Sequence, residues 1–238
     1  MGNIEIIGII DESYSFGEIS VPSNANVLTT SIDNMNPINQ LLFCLPIILC
    51  LLIPMIIKQK KYGLFNKEQR MKMKEENIKK YELNTVGKQA LFGIKEYFKI
   101  IFLMMTIGFL TIPIHEMVHA ISGAIFGADM KVGFIPQMLV AVAITSSKLI
   151  KVQYLVLLLT PIIILGILPA ITILLNYPKN IKNSKVAWLA LFLCLGVVLS
   201  AGPDLISTYN IIKNVPNGAI MQQTDDDMYW YINSEFEK

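Results

Sequence analysis

Four long apolar stretches limit the folds that this chain can adopt. They cover residues 41–57, 97–126, 152–175 and 186–201. A helix needs about 20 mostly apolar residues to cross the hydrocarbon core of a bilayer. Charged residues make up only 16% of the chain, whereas soluble domains carry about 25%. We therefore predict a mainly α fold, a polytopic membrane helix bundle of about four spans.

Positive charge is concentrated between the first two apolar stretches. Residues 58–80 hold nine lysines and arginines against three glutamates, a net charge of +6. Since cytoplasmic loops of membrane proteins are enriched in lysine and arginine, this segment is predicted to be cytoplasmic. A solvated, partly helical face against anionic lipid headgroups accounts for the charge. The whole chain carries only +2, and aromatic residues do not alternate with the lysines, so we expect no nucleic-acid partner.

The chain divides by composition into four predicted segments. Residues 1–40 are a polar N-terminal segment, 41–57 the first membrane helix, 58–90 the basic cytoplasmic loop, and 91–238 a membrane domain with a short C-terminal tail. No signal peptide is expected, because no basic residues precede an apolar run at the N-terminus. The three cysteines lack metal-site or disulfide spacing. We expect Cys44, Cys50 and Cys194 to be buried as small hydrophobic residues.

Extended structure is predicted in three places. Ile4–Ile10 and Glu18–Val21 are short apolar runs typical of strands. Lys131–Leu149 alternates apolar residues with glycine, proline and hydroxyl residues. This pattern favours a strand, a hairpin or a re-entrant piece, although a plain hydrophobic connector explains it equally well. The polar tail carries an aromatic cluster, Met228–Ile232, which we expect at the membrane interface.

A sequence of the form H-E-x-x-H lies inside the second apolar stretch. It comprises His115, Glu116 and His119, and it uses both histidines of the chain. Histidines four residues apart share one face of a helix, so both rings can reach one point. This arrangement predicts that the histidines hold Zn²⁺ and that Glu116 acts on the metal-bound water. The alternative is a pair of hydrogen-bonded histidines in a helix bundle, with Glu116 in a buried ion pair.

A catalytic zinc site commonly has three protein ligands and one open position. Besides Glu116, the acid associated with the apolar spans is Asp204, after Gly202 and Pro203 at the end of the fourth span. A carboxylate at membrane depth is costly unless it is paired or binds a cation. Asp204 is therefore the predicted third ligand, with Asp129 and Asn210 as outside candidates. The alternative for Asp204 is an ion pair with a lysine at the membrane edge.

The motif also lies in a wider pattern that resembles known membrane peptidases. The H-E-x-x-H sequence in a span, with a Gly/Pro-flanked Asp204 later, is similar to site-2 protease type intramembrane zinc metalloproteases. The plan over residues 91–231 is closer to a family of small bacterial membrane proteins described as putative zincin peptidases. This plan continues through the β-like connector, a span with Pro161, and the tail sequence of residues 215–219. Gly202–Leu205 only approximates the aspartate signatures of site-2 proteases.

The resemblance implies a zinc-dependent hydrolase in the bacterial cytoplasmic membrane. Its zinc ligands would be His115, His119 and Asp204, its catalytic residue Glu116, and its domain residues 91–238. The expected substrate is a protein or peptide, membrane-associated, cleaved in or near the bilayer. Two other classes remain open: a non-catalytic membrane binding or immunity-type protein with a structural zinc site, and a transporter or channel accessory protein.

Overall fold

The computed structural model describes residues 1–9, 15, 19–28, 37–63, 66–135, 140–179, 181–224 and 227–232. Helices dominate, which confirms the predicted fold class. In chain order they are α1 (Pro37–Tyr62), α2 (Lys67–Lys80), α3 (Val86–Ile125), α4 (Lys151–Pro161), α5 (Leu168–Leu175), α6 (Ile181–Ser200) and α7 (Gly202–Asn214). A π-helical segment, Ile162–Ile167, joins α4 to α5.

Within the described residues, four helical runs are long and apolar enough to cross a membrane. They are Ile38–Tyr62, Val86–Ile125, Lys151–Leu175 and Asn183–Ser200, with mean hydropathies of 2.7, 1.9, 2.6 and 1.7. The number agrees with the predicted four spans. The 40 residues of α3 give a helix about twice as long as the hydrocarbon core is thick. Only part of α3 can therefore lie at membrane depth.

A three-stranded sheet follows α3. It contains β1 (Ile4–Ile9), β3 (Met130–Ile135) and β4 (Val140–Ile144), in the order β1-β3-β4. Strand β1 runs parallel to β3, and β4 runs antiparallel to it. Of the alternatives for Lys131–Leu149, the hairpin is the one that is present. Among the described residues β4 pairs only with β3 in this sheet, so no described strand covers its other edge.

A second sheet was not predicted from the sequence. It contains β2 (Asn26–Leu28), β5 (Leu149–Ile150), β6 (Ile220–Gln223) and β7 (Met228–Tyr231), in the order β2-β7-β6-β5, with antiparallel pairs. The predicted strand Glu18–Val21 is wrong for residues 19–21, which form no strand, and Glu18 lies outside the described residues. The aromatic cluster of the tail lies mostly in β7.

The chain forms two compact units. The first contains Met1–Cys44, Ile112–Ile164 and Leu199–Lys238, and it includes both sheets and all the predicted site residues. Its buried core includes Ala120 from α3, Met130 from β3, Leu157 from α4 and Ile211 from α7. Because Ala120 directly follows His119, the H-E-x-x-H turn of α3 is anchored in this core.

The second unit contains Leu45–Thr111 and Leu165–Val198. It includes α2, which has no buried residues and agrees with the expected solvated, partly helical loop. Of the three cysteines, Cys44 and Cys194 are buried, but Cys50 is exposed. The prediction for Cys50 was wrong, because a long apolar helix need not bury every one of its faces against the rest of the protein.

Candidate metal centre

Helix α3 positions both histidines. It contains Pro113 without a break and ends at Ile125. Gly127, two residues after the helix end, has a φ of +87°, a conformation that glycine adopts readily where helices stop. His115 and His119 are 6% and 4% exposed, and their ring centroids are 4.8 Å apart. The spacing of four residues thus brings the two rings together inside the first unit.

Helix α7 supplies Asp204. The fourth span ends at Ser200, and α7 begins at Gly202, so Asp204 lies in the first turn of a separate short helix. Pro203 suits this position because its missing N–H would have no helical partner there. Gly202 allows a close approach, because a Cβ at this position would lie 2.8 Å from Cβ of Gln40. The Gly-Pro-Asp sequence therefore starts a tightly packed helix.

Three ligand atoms converge at this point. Nε2 of His115 lies 3.2 Å from Nε2 of His119 and 3.1 Å from Oδ2 of Asp204. Nε2 of His119 lies 3.4 Å from the same oxygen. Ligands at Zn–N and Zn–O distances of about 2.0–2.1 Å in a tetrahedron are about 3.3 Å apart. The donor set and its spacing therefore fit zinc, and these three residues could hold it.

The backbone of α4 orients the ring of His119. Nδ1 of His119 lies 2.8 Å from the carbonyl oxygen of Leu157. A carbonyl only accepts hydrogen bonds, so this contact places the proton on Nδ1 and leaves a lone pair on Nε2. That lone pair faces the Asp204 carboxylate. Two acceptors at this distance repel each other unless a cation or a shared proton lies beside them.

Asp204 lies beyond the four apolar spans and is ionised at neutral pH. Burial raises the pKa of its carboxyl group, but the electrostatic interactions with the nearby rings of His115 and His119 together lower it by more. The pKa of Asp204 consequently lies below its ordinary value. An ionised carboxylate beside two imidazoles is the charge state that a divalent cation requires.

Glu116 is adjacent to the three ligand atoms without being one of them. One of its carboxylate oxygens lies within 4.8 Å of the ring nitrogens, so Glu116, His115 and His119 form a group that could itself hold a metal. Oδ2 of Asp204 lies within 3.4 Å of a nitrogen of each ring. Oε2 of Glu116 instead accepts a hydrogen bond from the backbone N–H of Ala143 in β4, at 2.8 Å. This contact leaves Glu116 better placed to act on a bound water than to bind the metal.

The two other candidate metal ligands from the sequence are Asp129 and Asn210. Asp129 is exposed, and its Oδ1 accepts a hydrogen bond from the backbone N–H of Asn3. Asn210 is half-buried on α7. Among the described residues, no hydrogen bond joins either side chain to the histidine rings. Sequence reasoning missed the backbone groups of Leu157 and Ala143, because residue type does not mark a backbone carbonyl or N–H.

One family model matches the chain over residues 108–220, and its description is "Putative zincin peptidase". The match covers slightly less than half of the chain. The matched residues include the H-E-x-x-H turn of α3, the β3–β4 hairpin and Asp204. The match supports a hydrolase of the zincin type and does not confirm the similarity to site-2 proteases. No curated protein and no solved structure matches the chain.

Proposed function

We propose that this protein is a zinc-dependent metallopeptidase that hydrolyses protein or peptide substrates in or near the bacterial cytoplasmic membrane. The observation that carries the proposal is the triangle of His115 Nε2, His119 Nε2 and Asp204 Oδ2, with sides of 3.1–3.4 Å, beside Glu116. The match to the zincin-type family model and the four apolar helices support it. In this proposal Zn²⁺ is bound by His115, His119 and Asp204.

Zinc, when bound, supplies two kinds of chemistry: it makes its water more acidic and polarises a carbonyl group. Glu116 takes the proton from the attacking water and then delivers it to the leaving amine. The N–H of Ala143 holds the Glu116 carboxylate at the rim of the ligand triangle. Leu157 keeps the His119 lone pair directed at the metal position. Glu116 and His119 therefore each have a backbone partner that orients them.

The edge of β4 that no described strand covers is a suitable binding surface for a peptide substrate. The N–H of Ala143 points away from β3, because it donates to Glu116. In an antiparallel pair the outward-facing groups alternate, so the N–H and C=O of Ala141 also belong to this edge. An extended peptide could add to β4 as a further strand, as peptides do at other sheet edges. Its backbone would then lie beside Glu116.

The test compares the cleavage rates of the wild type and Glu116→Gln in proteoliposomes. The substrates are fluorogenic casein and a single-span membrane protein reconstituted into the same vesicles. Removing the general base should slow cleavage at least about 10²-fold, while zinc content stays at the wild-type level. Glu96→Gln, which changes another carboxylate on α3, is the matched control and should cleave normally. Wild-type cleavage rates in Glu116→Gln would contradict the mechanism. Full biological function in that variant would favour the non-catalytic zinc protein.

A further inference from the structure

The carbonyl that orients His119 lies at a special position of α4. In an α-helix each C=O accepts a hydrogen bond from the N–H four residues later. The residue four positions after Leu157 is Pro161, which has no N–H. Pro161 is also the last residue of α4 before the π-helical segment. The Leu157 carbonyl consequently lacks its regular helical donor.

The His119 ring takes the place of that donor. Nδ1 of His119 lies 2.8 Å from the Leu157 oxygen, and both residues are at most 5% exposed. Leaving a carbonyl oxygen without a hydrogen bond in an apolar interior costs free energy. The imidazole N–H supplies the missing hydrogen bond. The same bond fixes which ring nitrogen carries the proton, so the proline and the tautomer of His119 are linked.

We propose that Pro161 is a positioning residue for the metal centre. It keeps the Leu157 carbonyl available to Nδ1–H of His119, and so it directs the Nε2 lone pair of His119 toward Asp204 and His115. The metal-binding part of this inference rests on the proposed function. The tautomer part concerns the protein alone and holds without metal.

A proline can also act through the shape of its ring. Pro161 is almost completely buried, so its ring fills space in the core. Replacement by alanine removes the ring and adds an N–H, and these two effects must be separated. An α-hydroxy analogue of alanine at position 161 provides the separation, because its ester linkage lacks both the ring and the N–H. Pro169→Ala is the matched control, since it changes a proline farther along the same apolar run.

The experiment uses ¹⁵N-histidine-labelled, metal-free protein in detergent at a pH where both rings are neutral. The chain has only two histidines, and His115→Asn assigns the two signals. In the wild type and in Pro169→Ala, His119 should carry its proton on Nδ1. In Pro161→Ala the new N–H competes for the Leu157 carbonyl, so the other tautomer should appear. The ester analogue should restore the wild-type spectrum.

Zinc affinity, measured by chelator competition, gives a second readout. Loss of a group that orients a metal ligand typically weakens binding about 10- to 100-fold, and we expect about 10-fold for Pro161→Ala. The ester analogue should bind as tightly as the wild type. An unchanged His119 tautomer in Pro161→Ala, or an ester analogue that resembles Pro161→Ala, would overturn the proposal. If the wild type does not bind zinc, but Pro161→Ala still changes the His119 tautomer relative to the wild type, the proposed function is refuted and the role of Pro161 stands.

Discussion

Lys151 connects the two helices that support the site, and its replacement by methionine tests that connection. The residue is 7% exposed at the first turn of α4. Its Nζ donates a hydrogen bond to the Val215 carbonyl at 2.5 Å and lies 3.4 Å from Oδ1 of Asn217. Val215 caps the C-terminus of α7, the helix that carries Asp204. The side chain thus ties the start of α4 to the end of α7.

The expected loss can be worked out from these contacts. A hydrogen bond from a charged donor contributes about 1.5–3 kcal/mol, and an unpaired buried carbonyl costs about 1–3 kcal/mol. Val215 is only 3% exposed, so water cannot easily replace the ammonium group. The Asn217 contact is too long to add much, and methionine keeps most of the apolar volume and removes a buried charge. We expect Lys151→Met to lower the free energy of unfolding by about 2–3 kcal/mol.

The assay is reversible unfolding in mixed detergent micelles, followed by tryptophan fluorescence. Lys148→Met is the matched control, because Lys148 is exposed three residues earlier and should change the free energy of unfolding by less than about 0.5 kcal/mol. If Lys151→Met were as stable as Lys148→Met, the argument that this ammonium group holds α4 and α7 together would be refuted.

Two glycine substitutions give further predictions. Gly202→Ala should weaken zinc binding, measured by chelator competition, since its Cβ would lie 2.8 Å from Cβ of Gln40 and displace the start of α7. The control Gly196→Ala has open space around its Cβ and should bind zinc normally. Gly123→Ala should lower the unfolding free energy by about 1–3 kcal/mol, because its Cβ would clash with the buried Met130 side chain, whereas Gly108→Ala on the same helix should not.

The features best predicted from the sequence are those that depend on a local pattern, such as an apolar run or two histidines at helical spacing. The four spans follow from length and apolarity, and they are found as four helical runs. Alternation in Lys131–Leu149 favoured extended structure without deciding between a strand, a hairpin and a connector, and the structure has the β3–β4 hairpin. His115 and His119 could be paired because four residues make about one helical turn. The structure adds that Asp204 lies within 3.4 Å of both rings, although it belongs to its own helix rather than to the fourth span.

The features that sequence could not predict depend on contacts between distant segments. Strands β2 and β5 have three and two residues, too few for any periodic pattern. Strand β2 pairs with β7, about 200 positions later, so only tertiary packing selects the partner. The hydrogen bonds from Ala143 and to Leu157 involve backbone groups, which every residue has. Pro161 was visible in the sequence, but its consequence required knowing that His119 packs against Leu157.

The most direct test of the account is zinc quantitation on purified wild type, Asp204→Ala and Asp129→Ala in detergent. The account predicts one tightly bound zinc per chain in the wild type and in Asp129→Ala, because Asp129 bonds to the backbone of Asn3 instead. Asp204→Ala should remain folded and lose most of the metal. Stoichiometric zinc in Asp204→Ala, or a folded wild type that binds none, would contradict a centre built from His115, His119 and Asp204.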